Sequence, residues 1–426
     1  MQYNLLKKEI ENGKINDKLA YLYGKSNVET QKNRYLEALS EFAKIFGEDR
    51  DVEIYSAPGR TEVAGNHTDH NAGRVLAASV NLDVIAIVSK TSDNTVRLQS
   101  KGYPMDTVSF DDLEVKEEEI NKSASLIRGV AKKYTLENYK IGGFDAYTTS
   151  NVLKGSGLSS SAAFEVLVGT ILSYLYNDGT VSPVDIAKYA QYAENVYFGK
   201  PSGLMDQMAS SVGNMITIDF ADVEKPVIEQ VEFDFNALNC ALCIVDTGGN
   251  HADLTNEYAA IPDEMKKVAS LFGKKVLRGI TMEDLLSKVK EIREKFGDRA
   301  LLRSMHFISE NERVGDIVDA LKGKDYNKFL NLLTVSGNSS FRYLQNVYAN
   351  IAPKEQGLSV ALFMSERFLK GEGATRVHGG GFGGTTFNLV PTEKVEEFKA
   401  MMENIFGEGC CHILSIRPVG GTQIIK

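Results

Sequence analysis

Hydrophobic side chains recur along the chain at two different periods, which separates helical from strand-like stretches. Residues 29–46 carry apolar side chains at helical spacing, and 123–137, 161–175 and 184–198 also indicate helices. Residues 52–100 have a different pattern, because VLAASVNLDVIAIVSK and TVRLQS are apolar, β-branched runs. The first half of the chain is therefore expected to form a sheet with helices packed on it.

The second half repeats this mixture of strands and helices. A second sheet-like stretch begins near Val227, and ALNCALCIVDTGG within it is typical of a buried strand. Residues 256–295 and 309–332 are charged and helix-rich. TRVHGGGFGGTTFNLV, a helix at 393–405 and the strand-like HILSIRPV complete the pattern.

Two domains of the α+β class are predicted. A length of 426 residues allows two or three domains, and the mixture of strands and helices is typical of α+β proteins. We place the boundary within 220–240, so that residues 1–230 form an N-terminal domain and residues 231–426 a C-terminal domain.

Composition and charge exclude several classes of protein. Hydrophobic residues make up 43% of the chain and charged residues 25%, which is typical of a folded protein with a large core. The 48 Lys and Arg against 57 Asp and Glu give a net charge of −9, which disfavours a general nucleic-acid binder. A small anionic ligand remains compatible with this charge, since local backbone dipoles can hold it.

A cytoplasmic protein without a membrane span is expected. The segment MQYNLLKKEIENGKIND mixes charges throughout, and no run of 18 apolar residues occurs. Four cysteines are too few for a disulfide scaffold. Cys240 and Cys243 form a C-x-x-C in a strand-like run, whose odd spacing sends them to opposite faces, so we expect two core residues.

The first candidate for chemistry is a glycine- and serine-rich loop that leads into a helix. Its glycines allow a tight backbone, and the helix start offers unpaired N–H groups, so the loop suits an anion, most naturally a phosphate. It lacks the lysine of a Walker A loop and the third glycine of a Rossmann loop. A serine-capped helix after a flexible loop is the alternative. The candidate cofactor-binding residues are Gly155, Ser156, Gly157, Leu158, Ser159, Ser160 and Ser161.

The second candidate is the segment that runs from Pro58-Gly59-Arg60 to Gly65-Asn66-His67-Thr68-Asp69-His70-Asn71-Ala72-Gly73. Six of the nine residues from Gly65 have polar side chains, and apolar strands lie on both sides. Asp, Asn and His supply both donors and acceptors, which suits a polyhydroxylated ligand. A metal site that uses the two histidines, or a solvated turn, remains open.

The third candidate, Gly379-Gly380-Gly381-Phe382-Gly383-Gly384, matches G-x-G-x-x-G literally. A dinucleotide-binding loop must open a helix, whereas Thr385 to Val390 after this motif has the pattern of a strand. We therefore expect a backbone that approaches a ligand or the first loop closely.

Two acidic residues also stand out. Glu194 lies among apolar residues on one predicted helix face, so it needs a partner, either a metal ion or a buried Lys or Arg. Asp206 follows the helix break at 201–203. Such an aspartate is either a helix N-terminal charge or a catalytic base.

Taken together and in order, these segments resemble the galactokinase family of small-molecule kinases, whose superfamily includes homoserine, mevalonate and phosphomevalonate kinases. The similarity runs from about residue 30 onward. The segments that carry it are Ala57 to Arg60 with Gly65 to Asp69, Gly155 to Ala163, Ser202 to Gln207, and Ala374 to Gly384.

The resemblance implies two α+β domains with the active site in the cleft between them. ATP and Mg²⁺ would bind there, and the γ-phosphoryl group would pass to the anomeric hydroxyl of galactose. Asp206 would take or orient the hydroxyl proton, with Arg60 keeping it ionised, while Ser161 and Glu194 would hold Mg²⁺. The residues placed around the sugar are Asn66, His67, Asp69, Gly203 and Tyr258.

Departures from the family pattern leave the sugar open. Galactokinases usually have Glu at the position of Asn66, Asn at that of Glu62 and Tyr at that of His70. The usual Glu faces the C6 hydroxyl, where an amide would tolerate a substrate carboxylate and donate to it. Galactose is the first expectation, and galacturonate or another modified galactose is the alternative.

A non-catalytic sensor of sugar and ATP is a second alternative. Such proteins often lack part of the serine-rich run or the base. Ser161, Ala162, Glu194, Arg60 and Asp206 are all present here, which favours an enzyme.

Overall fold

The computed structural model describes residues 1–152, 157–200, 202–233, 235–248 and 254–425. Within these residues, eight strands form a first sheet and four strands form a second. The first sheet holds β1 (Glu53–Ala64), β2 (Arg74–Lys90), β3 (Thr95–Ser100), β4 (Met105–Ser109), β5 (Phe144–Ser150), β6 (Met215–Asp219), β7 (Val227–Gln230) and β12 (Thr422–Ile425). The second holds β8 (Cys240–Asp246), β9 (Ala374–Val377), β10 (Thr385–Pro391) and β11 (Cys411–Leu414).

Helices surround both sheets, which confirms the predicted α+β class. Those in the first half are α1 (Tyr3–Glu11), α2 (Asn16–Tyr23), α3 (Val28–Phe46), α4 (Ser123–Leu136), α5 (Ser160–Asn177), α6 (Pro183–Tyr192) and α7 (Met205–Val212). Those in the second half are α8 (Phe235–Leu238), α9 (Thr255–Ser270), α10 (Met282–Ser287), α11 (Val289–Phe296), α12 (Asp298–Lys322), α13 (Tyr326–Ser339), α14 (Gly357–Leu369) and α15 (Val395–Phe406). The stretch predicted as one helix at 184–198 is α6 followed by a π-helical turn, Ala193–Phe198.

The first sheet runs in the order β12-β1-β2-β5-β3-β4, and β6 and β7 extend it beside β2. All its pairs are antiparallel except β3 with β5. The 17-residue β2 is central, because its first part pairs with β6 and its second part with β5. The second sheet is antiparallel, in the order β11-β8-β10-β9.

Both faces of the first sheet are covered, which explains the unbroken apolar run along β2. Val84, Ala86 and Val88 pack with α4 and α5, while Ile85 and Ile87 pack with the helices α1 to α3. A strand that is buried on both faces has apolar residues at every position rather than at every second one.

A buried charge cluster fastens α2 and α3 to the sheet. Asp83 is fully buried, and its two oxygens accept from Arg34 at 2.6 Å and from Arg417 at 2.8 Å. Tyr23 and Ser56 donate their hydroxyls to the same carboxylate. Burial alone would raise the pKa of Asp83, but the two guanidinium groups outweigh it and lower the pKa below its ordinary value.

The change from one sheet to the other lies between β7 and β8, close to the predicted domain boundary at 230. The strand β12 then returns to pair with β1, so the first sheet contains chain from both halves. The division into 1–230 and 231–426 stays a prediction.

The cysteines behave as the strand pattern predicted. Cys240 packs in one apolar cluster and Cys243 in another, and the four cysteines, all within the described residues, are buried and free. In the same part of the chain, no helix is long and apolar enough to cross a membrane.

Candidate active site

The three motifs predicted from the sequence meet around one cavity of about 530 Å³. Residues of all three contribute, together with the segment around Asp206. The cavity is lined by Asp69, His70, Gly157, Lys200, Ser202, Gly203, Met205, Asp206, Tyr258, His378, Gly380, Gly381, Gly383, Gly384 and Thr385. A second, smaller cavity of about 130 Å³ shares Asp69, His70, Met205 and Gly380 with it.

The predicted phosphate loop enters this cavity just before α5. Gly155 and Ser156 lie outside the described residues, and Gly157 is the first residue of the loop that follows them. Ser159 has a φ of +54°, a strained value for a residue with a side chain, and Ser160 and Ser161 form the first turn of α5. The unpaired N–H groups at that helix start favour an anion.

β1 holds the phosphate loop in place from the sheet side. The Arg60 N–H donates to the carbonyl of Leu158, which is buried, at 3.0 Å. A Cβ on Gly59 would lie only 2.8 Å from the same carbonyl oxygen. The glycine of the Pro-Gly-Arg segment is therefore required for this close approach.

Arg60 and Asp206 form a bidentate ion pair at the cavity. The Arg60 Nε and Nη2 atoms lie 2.6 Å from the two oxygens of Asp206, and Ser159 donates its hydroxyl to one of them. Two parallel charge-assisted bonds fix both the position and the plane of the carboxylate. Asp206 lies in the first turn of α7 and lines the cavity, so both sequence alternatives are compatible with its position.

The electrostatics keep Asp206 ionised. Burial works toward raising its pKa, but the Arg60 guanidinium outweighs it and lowers the pKa of Asp206 below its ordinary value. A carboxylate in this state can accept a hydrogen bond from a substrate hydroxyl at neutral pH.

Glu194 is buried and forms an ion pair with a lysine. Its Oε1 accepts from the Lys200 ammonium at 2.8 Å, and its Oε2 accepts from Ser202 at 2.6 Å and from Gln207 at 2.7 Å. The sequence left this partner open between a metal and a buried Lys or Arg. The structure supplies Lys200, which lines the cavity.

A second buried carboxylate, Glu165, lies beside Glu194. Gln207 bridges the two, since its Nε2 also donates to Glu165 Oε2 at 3.2 Å. The other oxygen of Glu165 has no hydrogen-bond partner among the described residues. Burial, and then the charge of Glu194, raise the pKa of Glu165 well above its ordinary value.

The groups around Glu194 include oxygen donors of the kind that Mg²⁺ takes, and their role as metal ligands stays a prediction. Ser161 precedes Glu165 by one helical turn, so the two residues share a face of α5. Mg²⁺ is usually held by one or two carboxylates together with substrate phosphates. No group of three or more His, Cys, Asp or Glu able to hold a metal occurs in the described part of the chain, so a bound ion would depend on the phosphates.

The polar segment after β1 is anchored by the second half of the chain. The Gly65 N–H donates to Glu310 at 3.0 Å, and His306 contacts the Asn66 carbonyl at 3.0 Å. Burial would raise the pKa of Glu310, but His306 and Arg313 outweigh it and lower the pKa to about 2. The polar segment is thus held by α12 as well as by the hydrogen bonds of its own turn.

The side chain of Asn66 is turned toward protein rather than toward the cavity. It is fully buried, and its amide nitrogen donates to Glu62 at 2.9 Å and to the Gly379 carbonyl at 2.7 Å. Its oxygen accepts from Asn346 at 2.8 Å. The role of Asn66 as a sugar ligand stays a prediction, and these bonds occupy the amide that it would use.

Glu62 instead lines the smaller cavity. Its carboxylate accepts from Arg376, a fully buried residue, at 2.9 Å and from Asn66 at the same distance. Burial nevertheless raises the pKa of Glu62. Glu62 and Asn66, two of the positions at which the sequence departs from the pattern it resembles, are thus in direct contact.

Asp69, Gly203 and Tyr258 lie around the main cavity as expected from the sequence. A Cβ on Gly203 would come within 2.5 Å of Asp69 Oδ2, so the two segments nearly touch. Tyr258 donates its hydroxyl to the Gly381 carbonyl at 2.8 Å, and burial raises its pKa to about 12. His67 lines the smaller cavity and contacts the Gly380 carbonyl at 2.9 Å.

The glycine-rich third motif approaches other parts of the protein closely, and His378 just before it lies beside the first loop, which was one of the two predicted partners. A Cβ on Gly381 would lie 2.0 Å from the Asn346 carbonyl oxygen, and one on Gly380 would lie 2.6 Å from the Tyr258 ring. A Cβ on Gly157 of the first loop would lie 3.1 Å from His378. The strand β10 follows the motif, so it does not open a helix.

Several residues of the site were not predicted. Lys200 and Thr385 line the main cavity, and each is a near neighbour of a motif residue. Ser202 and His378 also line it, although they were quoted only as members of motif segments and were given no role. Adjacency to a motif is the signal that could have identified them. Arg376 was quoted only as part of the third motif, and its pairing with Glu62 spans 314 residues of chain.

Comparison with protein families and known proteins points to one group. Residues 40–90 match the galactokinase galactose-binding signature, and residues 125–214 match the GHMP kinases N terminal domain. The chain is 30% identical to a galactokinase of Clostridium tetani over 87% of this chain and 92% of that protein. It is 31% identical to a galactokinase of Glaesserella parasuis over 85% and 91%.

Solved structures give the same result. The crystal structure of Lactococcus lactis galactokinase complexed with galactose matches 91% of this chain and all of that one, with a TM-score of 0.78 and 25% identity. The Methanococcus jannaschii mevalonate kinase matches 86% of this chain and 98% of that one, with a TM-score of 0.61 and 16% identity, which shows a shared fold alone.

Proposed function

Because this chain belongs to the galactokinase family, and is thus a sugar kinase that uses ATP, we propose that it phosphorylates the anomeric hydroxyl of galactose. The product would be galactose 1-phosphate. The observation that carries this proposal is the bidentate Arg60–Asp206 pair, whose Asp206 lines the cavity to which all three motifs contribute.

The chain's own residues divide the work of the reaction. Asp206, kept ionised by Arg60, accepts the hydrogen bond of the attacking hydroxyl and fixes its direction toward the phosphoryl group. The start of α5 and the residues from Gly155 to Ser161 bind the phosphates through backbone N–H groups and hydroxyls. Ser161 and Glu194 would hold Mg²⁺, which neutralises charge on the phosphates.

The sugar would lie between Asp69, Gly203 and Tyr258. Asp69 accepts from ring hydroxyls, and Gly203 leaves room for the sugar to approach it. In the proposed division into residues 1–230 and 231–426, the phosphate loop belongs to one domain and the third motif to the other. The two would then lie on opposite sides of this space.

The geometry favours a neutral sugar over a sugar acid. A uronate substrate needs a free donor on the C6 side, whereas the amide of Asn66 is bonded to Glu62, Gly379 and Asn346. The Glu62 carboxylate lines the smaller cavity and would repel a second carboxylate there. Galactose is therefore preferred to galacturonate.

The test is ATP consumption by the purified protein with Mg²⁺ and galactose, galacturonate or N-acetylgalactosamine in parallel. Galactose turnover that falls at least 100-fold in Asp206→Asn is expected. Asp185→Asn, at a partly exposed aspartate in the first turn of α6, is the matched control and should retain activity. Preference for galacturonate would contradict the assignment of the sugar, and sugar-dependent ATP binding without turnover would contradict the enzyme.

A further inference from the structure

The Lys200 ammonium is bound to the carboxylate of Glu194, which is also the carboxylate that a metal ion would need as a ligand. Glu194 Oε2 already accepts hydrogen bonds from Ser202 and Gln207, so a cation would bind to Oε1. That oxygen is held by the Lys200 ammonium at 2.8 Å. A divalent ion on Glu194 and the lysine therefore compete for one oxygen.

Lys200 is able to leave this position. Its side chain is 58% exposed, whereas that of Glu194 is 3% exposed. It follows Gly199, whose φ of +85° ends the π-helical turn, and its flexible four-carbon stem lines the main cavity. The cavity around it contains Gly157 of the phosphate loop and Asp206, so a released ammonium stays among the groups that face the transferred phosphoryl.

A buried carboxylate also needs a counter-charge when no metal is bound. An uncompensated charge in such a place is strongly destabilising, and Glu165 adds a second carboxyl group alongside. The ordinary interpretation is that Lys200 only neutralises Glu194 and holds the segment at 199–203. That interpretation makes no use of its position on the cavity wall.

Resting on the proposed function, we propose that Lys200 is an exchangeable counter-ion: without metal it occupies the cation position at Glu194 and also contacts the phosphates of a bound nucleotide, and Mg²⁺ displaces it from Glu194. The displaced ammonium keeps only a weaker contact with phosphates whose charge the metal already neutralises, so Lys200 contributes most to nucleotide binding when the metal is absent. Its removal should weaken binding of metal-free nucleotide more than binding of the magnesium complex. By thermodynamic linkage, the nucleotide complex of a variant without Lys200 should then bind the divalent ion more tightly than the wild-type complex does.

The test is isothermal titration of the non-hydrolysable analogue AMP-PNP into wild type and Lys200→Met, once with EDTA and once with saturating Mg²⁺. We expect Lys200→Met to raise the Kd about tenfold in EDTA and at most about threefold with Mg²⁺, because one phosphate contact is worth roughly tenfold in affinity. Lys200→Arg keeps the charge and should lose less in EDTA. Lys188→Met, outside the cavity lining, is the matched control and should bind like wild type.

A second measurement follows the metal itself. Mn²⁺ binding to the protein–AMP-PNP complex, observed by electron paramagnetic resonance, should tighten about threefold in Lys200→Met. Equal losses of nucleotide affinity with and without Mg²⁺, or no loss in either, would overturn the proposal. These titrations require no turnover, so a wild type that binds AMP-PNP but phosphorylates no sugar would contradict the proposed function and leave this inference standing.

Discussion

The contact between Glu62 and Asn66 can be tested by exchanging the two residues. Glu62 accepts from Asn66 and from Arg376 at 2.9 Å each, and all three side chains are buried. The variants are Glu62→Asn, Asn66→Glu and the double exchange, which restores the order usual in galactokinases. Because the contact is direct, the effects of the two substitutions should not add.

The structure gives the size of each effect. Glu62→Asn leaves the buried Arg376 guanidinium without its carboxylate, which costs about 3–5 kcal/mol of unfolding free energy. Asn66→Glu sets a second buried carboxylate against the first, at a cost of about 3 kcal/mol. The double exchange keeps one carboxylate and one amide beside Arg376. It should cost about 1–3 kcal/mol, which gives a coupling of at least about 3 kcal/mol.

Urea unfolding of the four proteins at pH 7 measures this coupling. Exchange of Glu291 and Lys295, an exposed ion pair on α11, is the control and should show coupling below about 0.5 kcal/mol. Additive effects within about 0.5 kcal/mol would refute the reasoning, because Glu62 and Asn66 would then stabilise the protein independently.

Three other changes test separate features of the molecule. Gly203→Ala places a Cβ within 2.5 Å of Asp69 Oδ2, so the KM for galactose should rise about tenfold. An unchanged KM would contradict the role of Asp69 in sugar binding. Ala209→Gly, a substitution within the neighbouring helix α7, is the control. Glu310→Gln should lower stability by about 3 kcal/mol above pH 4.5, and the deficit should shrink as the pH falls toward 2, because the pKa of Glu310 is depressed to about 2 in the folded state. A deficit that stays constant across this range in urea unfolding would show that charge is not its cause. Asp83→Asn breaks buried ion pairs to two arginines and should lower the free energy of unfolding by about 3–5 kcal/mol. Limited proteolysis before residue 47 should also become faster. Proteolysis at the wild-type rate would contradict the role of Asp83 in holding α2 and α3 on the sheet.

Much of the fold was predictable because local patterns encode it. The apolar run of β2, the helical period of α3 and the strand after the third motif all lie within short windows of sequence. The π-helical turn Ala193–Phe198 was missed, since one wider turn leaves the period of the preceding helix almost unchanged.

The orientation of single side chains in the site was not predictable. Asn66 stands in a polar loop beside apparent sugar ligands, but its partners Gly379 and Asn346 lie 313 and 280 residues away. Whether a loop amide faces a ligand or the protein is decided by such distant contacts. Lys200, only six residues from Glu194, was within reach of the sequence argument that asked for a cation there.

The return of β12 to the first sheet has a consequence for synthesis on the ribosome. Arg417 completes the Asp83 cluster, and β12 covers the free edge of β1, yet both are translated more than 320 residues after their partners. During that time β1 is an open strand edge and Asp83 lacks one of its two guanidinium partners. The N-terminal half is thus expected to await the synthesis of β12 before its sheet closes, which makes it a client for chaperones and makes truncations that remove β12 far more damaging than their length suggests.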